Sequence, residues 1–367
     1  MIILTKNQPA MKRIITLVAL SVIFTCCTGP VSEPATDTEP ADMPSLREYH
    51  TINNPGKVQD GNISLIPIRT PLGEFRVWTK RTGNNPDMKL LFLHGGPGFS
   101  HDYFECADSF LPQEGIEYYY YDQLGSAYSD QPSDTSLWNI DRFVEEVEQV
   151  RKALDLGPDN FYILGHSWGG ILAIEYALKY QQNVKGLIIS NMMSSVPDYN
   201  RYAREVLGPM LPADVLEEIR KYEAAGDYEN ERYLELITTH YYPEHVLRIP
   251  MEQYPDPVNR AFAKFNPEVY VYMQGPSEFG ITEEATLHSW DRSADLSKIN
   301  VPTLVIGAQH DTMDPEHMEW MATQFPEGEY LYCENGSHLS MYDDQQTYFS
   351  GLINFIKSVN EKQDGIE

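Results

Sequence analysis

Phe161-Tyr-Ile-Leu-Gly-His-Ser-Trp-Gly-Gly170 decides how this chain folds. Phe161 to Leu164 is a short apolar run, Gly165-His166-Ser167-Trp168-Gly169 is a turn, and Ile171 to Leu178 has helical spacing. A strand, Gly-x-Ser-x-Gly and a helix, in that order, make the setting of a nucleophile elbow. The turn is sharp, so small residues must flank Ser167 and let strand and helix approach closely. The serine hydroxyl then stands above the strand end, at the N-terminus of a helix whose dipole favours negative charge.

Upstream, Ile63-Ser-Leu-Ile-Pro-Ile68 and Phe75-Arg-Val-Trp78 alternate around Pro71-Leu-Gly73, the pattern of an antiparallel hairpin at a sheet edge. Met88 to Leu93 is an apolar run of the length expected for a buried parallel strand, and it leads into His94-Gly95-Gly96-Pro97-Gly98. Ile116 to Tyr121 is a further strand, ending in Asp122-Gln-Leu-Gly-Ser-Ala-Tyr-Ser-Asp130, where Asp122 reads as architectural. Asp141 to Leu154 has helical spacing. Downstream of the elbow come a helix over 171–180 and a strand from Val184 to Ser190. Alternation of strand and helix predicts an α/β fold with a mostly parallel sheet.

The alternation stops between about 195 and 290. This stretch is rich in Tyr, Glu and Met, with helical segments near 199–208, 212–224 and 230–239. It reads as a helical cap inserted before the last two strands, a lid over the strand ends where such sheets bind ligands. The core is therefore expected over 49–194 and 291–367. The sheet resumes at Val301 to Ile306, followed by Gly307-Ala-Gln-His-Asp311-Thr-Met-Asp-Pro315. A last strand, Glu329 to Cys333, leads to Glu334-Asn-Gly-Ser-His338, and an amphipathic helix covers Gln346 to Val359.

A serine hydroxyl needs a base, and the base needs an acid to orient it. In the α/β-hydrolase arrangement these follow in the order Ser, acid, His, each after a strand. Ser167, Asp311 and His338 satisfy that order. Asp314 competes as the acid, but Asp314-Pro315 has the form of a helix start, and Asp311 lies closer to the strand end. In the same arrangement the oxyanion hole takes backbone N–H groups from the residue after the nucleophile and from the Gly-rich turn, here Trp168 and Gly96.

His94-Gly-Gly-Pro-Gly98, Asp122-Gln-Leu-Gly-Ser126, Gly165-His-Ser-Trp-Gly-Gly170, Gly275-Pro-Ser-Glu-Phe279 and Gly336-Ser-His338 together resemble the proline iminopeptidases. These are the prolyl aminopeptidases of the α/β-hydrolase fold, among them the tricorn-interacting aminopeptidase. The resemblance covers about residues 50–360, with Ala127 standing where the family pattern has a glycine. It implies a serine exopeptidase acting on short peptides with a free N-terminus, with Ser167 as nucleophile, His338 as base and Asp311 as orienter. It also implies cap glutamates that bind the substrate's α-amine: Glu278 first, Glu235 second. Phe279 and tyrosines of the cap are candidates for the apolar slot of a pyrrolidine ring. The alternative of the same fold is an esterase, lipase or amide hydrolase with another small substrate. Ser167 argues against the members of this fold that use an aspartate nucleophile, and the intact triad against a non-catalytic binding protein.

Residues 1–30 read as a signal segment: Lys12 and Arg13 precede the apolar run Ile14 to Phe24, which ends at Thr25-Cys26-Cys27. The run is short for a membrane span. The Cys pair resembles the lipobox of bacterial lipoproteins, with Cys26 (or Cys27) lipidated, although Phe24-Thr25 departs from its usual residues. Residues 31–48, rich in Pro, Thr, Glu and Asp, read as a disordered tether. The expected address is the periplasm or cell envelope, with membrane contact only through the lipid. The net charge of −27, more negative still once the basic signal segment is removed, excludes a nucleic-acid partner. Cys106 and Cys333 belong to no CxxC pair, and no Cys/His cluster has zinc spacing, so neither a metal nor another cofactor is expected.

Overall fold

Ile66 and Ile68 are buried while Leu65 and Pro67 face solvent, so the first strand covers the core with one side only. The computed structural model describes residues 62–364. That strand, β1 (Ile63–Thr70), turns into β2 (Gly73–Thr82), and the two pair antiparallel from Ile63↔Lys80 to Thr70↔Gly73. β3 (Lys89–Leu93), β4 (Glu117–Asp122), β5 (Phe161–His166), β6 (Gly186–Ser190), β7 (Thr303–Ala308) and β8 (Gly328–Cys333) complete one sheet, in the order β1-β2-β4-β3-β5-β6-β7-β8. β2 meets β4 antiparallel, and every pairing from β4 to β8 is parallel. The central strands β5, β6 and β7 are buried throughout, which their apolar runs require.

Successive residues of β3 feed two different cores. Leu91 and Leu93 join α1 (Ile140–Ala153) and α2 (Trp168–Tyr180) on one face. Leu90 and Phe92 face Tyr103 and Phe104 of the short helical segment His101–Ser109, along with the C-terminal helix, on the other. Each fully buried Leu, Ile or Phe side chain contributes about 1.5–3 kcal/mol, so two such layers account for a stable core.

Between β6 and β7 the chain runs through α3 (Val196–Tyr202), α4 (Ala213–Ala225), α5 (Glu231–His240), α6 (Tyr242–His245), α7 (Asp256–Ala263) and α8 (Pro267–Met273). The ends of this insertion are stitched together: Ser195 bridges Asp291, and Arg292 N–H donates to Ser194 O at 2.8 Å. Its own core holds Leu207, Val215, Ile219, Tyr233, Leu236 and Tyr241. α7 is tied to the sheet domain by Arg260 and Lys264, which pair with Asp102 and, for Arg260, also with Glu105. After β7 come α9 (Pro315–Gln324), α10 (Ser340–Asp343) and α11 (Gln345–Asp364).

Among the described residues no helix is long and apolar enough to cross a membrane. The signal segment, Cys26 and the tether expected over 31–48 lie outside the described residues. Cys106 and Cys333 are separate free thiols.

Candidate active site

Ser167 closes β5 and opens α2 with φ 55° and ψ −127°, a left-handed backbone conformation that side-chain-bearing residues rarely adopt. Its flanking glycines are fixed by contact rather than by flexibility. A Cβ on Gly165 would lie 1.9 Å from the Gly169 carbonyl oxygen, and one on Gly169 would lie 2.1 Å from that of Leu93. Strand, helix and neighbouring strand therefore meet at van der Waals limits around the serine. The Ser167 N–H donates to Ser190 O at 3.1 Å, which pins the elbow to the end of β6.

His338 follows β8 and Asp311 follows β7. Asp311 Oδ1 accepts from His338 Nδ1 at 2.8 Å, leaving the Nε2 lone pair free to take a proton. Asp314 does something else: it caps α9, its Oδ1 accepting from the Glu316 N–H at 3.0 Å. Burial opposes protonation of His338, but the adjacent Asp311 carboxylate, the hydrogen bond to it and the Glu278 charge outweigh that, and its pKa is raised. Three residues to which the sequence assigns no role complete the acid's surroundings. Asn191 Nδ2 donates to Asp311 Oδ2 at 2.7 Å, Met313 N–H donates to Oδ1 at 3.1 Å, and Thr312 Oγ1 lies 3.1 Å from His338 Nδ1.

The turn after β3 brings Gly96, with φ 106°, beside Ser167 and His338 in one cavity. Trp168 is the first residue of α2, so its N–H has no intrahelical acceptor. Its indole Nε1 donates to Gln123 Oε1 at 2.8 Å, and Gln123 Nε2 donates to His94 O at 3.0 Å, which braces the Gly-rich turn against the elbow. Burial pushes His94 down to about 4, so it is neutral, and its Nε2 accepts from Gln123 N–H. His166 is likewise held neutral, first by burial and then by His338. It spans the site: Tyr103 OH lies 3.0 Å from its Nδ1, and its Nε2 donates to His338 O at 2.7 Å.

The cavity in front of Ser167 measures about 120 Å³, the room of a few water molecules, so it suits one small residue. Its apolar wall is Phe99, Phe262 and Phe265, with Val246, Pro276 and Leu339. Phe99 packs edge-on against Phe262 at 5.2 Å and Phe265 at 6.0 Å between centroids. Glu278 is the one carboxylate among its lining residues. Glu278 Oε1 accepts from Tyr270 OH at 2.5 Å and Gln274 Nε2 at 3.2 Å, whereas Oε2 is buried with no hydrogen-bond partner among the described residues. Tyr199 OH donates to Glu278 O at 2.6 Å, fixing the backbone as well. An unpaired buried carboxylate oxygen is costly unless a donor arrives.

Two expectations are corrected. Glu235 does not reach the cavity; it is exposed and ion-paired to Arg232 at 3.0 Å. α5 buries Tyr233, Leu236 and Ile237, and Glu235 lies about 200° around the helix from Tyr233. Phe279 does not form the ring slot either. It points into the insertion's own core, edge-on to Tyr241 at 5.0 Å. His101, Asp102 and Glu105 cluster closely enough to hold a cation, but Arg260 and Lys264 already match their charge.

A family model described as the alpha/beta hydrolase fold matches residues 89–345. A proline iminopeptidase of Flavobacterium johnsoniae is 56% identical over 82% of this chain and 99% of its own length. This chain belongs to the proline iminopeptidase family of α/β hydrolases. A family member from Saccharolobus solfataricus is 39% identical, over 82% of this chain and 93% of that one. The crystal structure of the Mycobacterium smegmatis proline iminopeptidase superimposes with a TM-score of 0.71 at 27% identity, over 81% of this chain and 99% of that one. The elbow, acid and base stand at the ends of β5, β7 and β8 of that fold.

Proposed function

We propose that this chain is a serine exopeptidase that releases N-terminal proline, and other small N-terminal residues, from short peptides. The relatives' shared activity supports the class of reaction. Ser167 Oγ attacks the first carbonyl carbon while His338 Nε2 takes its proton and Asp311 holds the imidazolium. The tetrahedral oxyanion sits between the N–H groups of Gly96 and Trp168, each worth roughly 3 kcal/mol in the transition state. His338 then protonates the leaving amine, and water discharges the acyl-enzyme by the reverse sequence.

One observation carries the choice of an exopeptidase over an esterase: the unpaired Glu278 Oε2 in the same small cavity as Ser167 and His338. A protonated α-amine supplies the missing donor, and the aromatic wall of Phe99, Phe262 and Phe265 suits a pyrrolidine ring. The test is release of free proline from Pro-Xaa peptides, with Ser167→Ala as the blank; no release from any free-amine substrate refutes it. Residues 195–290 act as a lid over the strand ends.

In the cell this chain would be an exported protein held at the envelope by a lipid on Cys26. Membrane fractions should lose the protein when Cys26 and Cys27 are both changed to Ala. Unchanged fractionation would refute lipidation.

A further inference from the structure

Asn191 is the first residue after β6, fully buried, with φ 52°. All four hydrogen-bonding positions of its side-chain amide are used. Oδ1 accepts from Ser190 Oγ at 2.8 Å and Ser340 Oγ at 2.9 Å. Nδ2 donates to Asp311 Oδ2 at 2.7 Å and to Ser337 O at 3.2 Å. Two hydroxyls on one side, and a carboxylate and a carbonyl on the other, allow only one orientation of the amide.

Those four partners belong to the ends of β6, β7 and β8, and β6 in turn holds the elbow at the end of β5. Ser190 supplies the carbonyl that accepts the Ser167 N–H. Asp311 is the acid itself, and Ser337 and Ser340 bracket the base His338. The backbone N–H of Asn191 donates to Ile306 O at 2.8 Å in β7, so its own position is set by the sheet rather than by a loop. Side-chain rotation of Asp311 about its last bond would carry Oδ1 off His338 Nδ1. Oδ1 is held by Met313 N–H, and Oδ2 by Asn191. A hydrogen bond to a buried carboxylate both fixes it and favours its charged form.

We infer that Asn191 is a positioning residue for catalysis: its amide locks Asp311 and the His338 loop into the arrangement that aims the base at Ser167. It touches neither substrate nor reacting atoms, so its effect belongs to the chemical step and not to substrate binding. The inference rests on Ser167, Asp311 and His338 working as a triad.

The positive φ gives a clean variant. Asn191→Gly keeps the backbone conformation without strain and removes only the amide. Asn191→Asp keeps the size but sets a second carboxyl group against Asp311. The full chain should show kcat lowered about 10- to 100-fold in Asn191→Gly, with KM within about twofold of wild type. In Asn191→Asp two buried carboxyl groups face each other and share a proton, so a further titration belonging to that pair should appear in the pH profile of kcat. Proton NMR gives a readout that does not depend on turnover: the low-field resonance of the Asp311–His338 hydrogen bond should broaden or shift in Asn191→Gly. An unchanged kcat in a folded Asn191→Gly protein overturns the inference. So does a fall in kcat with the resonance unchanged in Asn191→Gly and no added titration in the pH profile of Asn191→Asp. A wild type that cleaves no peptide refutes the triad's proposed reaction instead, and the resonance still reports on the positioning.

Discussion

Asp311 Oδ1 lies 2.8 Å from His338 Nδ1, while Asp314, three residues further on, spends its carboxylate on the first turn of α9. Two acids in one loop thus have separable duties. Asp311→Asn should lower kcat by about 10³–10⁴-fold, because an amide favours the wrong imidazole tautomer. Asp314→Asn keeps a good cap and should leave kcat intact. Asp314→Ala should cost about 1 kcal/mol of stability, measured by urea unfolding, with activity retained in the folded fraction.

The pH dependence follows from His338. It must be neutral to accept the Ser167 proton, and Asp311 and Glu278 hold its pKa above the ordinary 6.5 despite burial. Activity is therefore lost as pH falls through that raised value, and the acid limb of kcat/KM should lie above 6.5. Glu278→Gln removes one of the charges that raise it, so the limb should move to lower pH. A limb that stays in place in that variant contradicts the electrostatic coupling between cap and base.

The two glutamates taken from the sequence should behave oppositely. Glu278→Gln should reduce kcat/KM for free-amine substrates by about 30-fold or more, the loss of roughly 2 kcal/mol from a desolvated charge pair. Glu235→Gln breaks only an exposed pair with Arg232 and should change kcat/KM less than about twofold.

The chemistry at the strand ends was legible because it obeys simple local rules. Ser167, Asp311 and His338 each follow a short apolar run, and Asp314 precedes a proline at a helix start. The substrate pocket obeys no such rule. Phe99, Phe262 and Phe265 come from a core turn and the cap, and no periodicity links them; Glu278 was legible only through its likeness to the family motif. Glu235 misled because a glutamate in an amphipathic helix can face either way until the buried face is known, here that of Tyr233, Leu236 and Ile237. Asn191 gave no signal, since one polar residue after a buried strand carries no pattern.

Cap docking should respond to acid. Burial works against ionisation of Asp102, but hydrogen bonds from Lys264 and Ser100 outweigh it, and its pKa lies below the ordinary carboxyl value of 3.8. The stability it contributes is present above 3.8 and is lost as pH falls through the depressed value. Asp102→Asn should cost about 2 kcal/mol, less than for a fully buried pair because Arg260 and Lys264 reach solvent. Thermal unfolding at pH 7 measures it.

A serine nucleophile and a free-amine site share one small cavity. The most direct test of this is kcat/KM for a prolyl anilide against its N-acetyl counterpart, with Ser167→Ala as background. Release should be rapid from the free amine, at least about 100-fold slower from the acetylated substrate, and no faster than background in Ser167→Ala. Equal rates on the two anilides would contradict it.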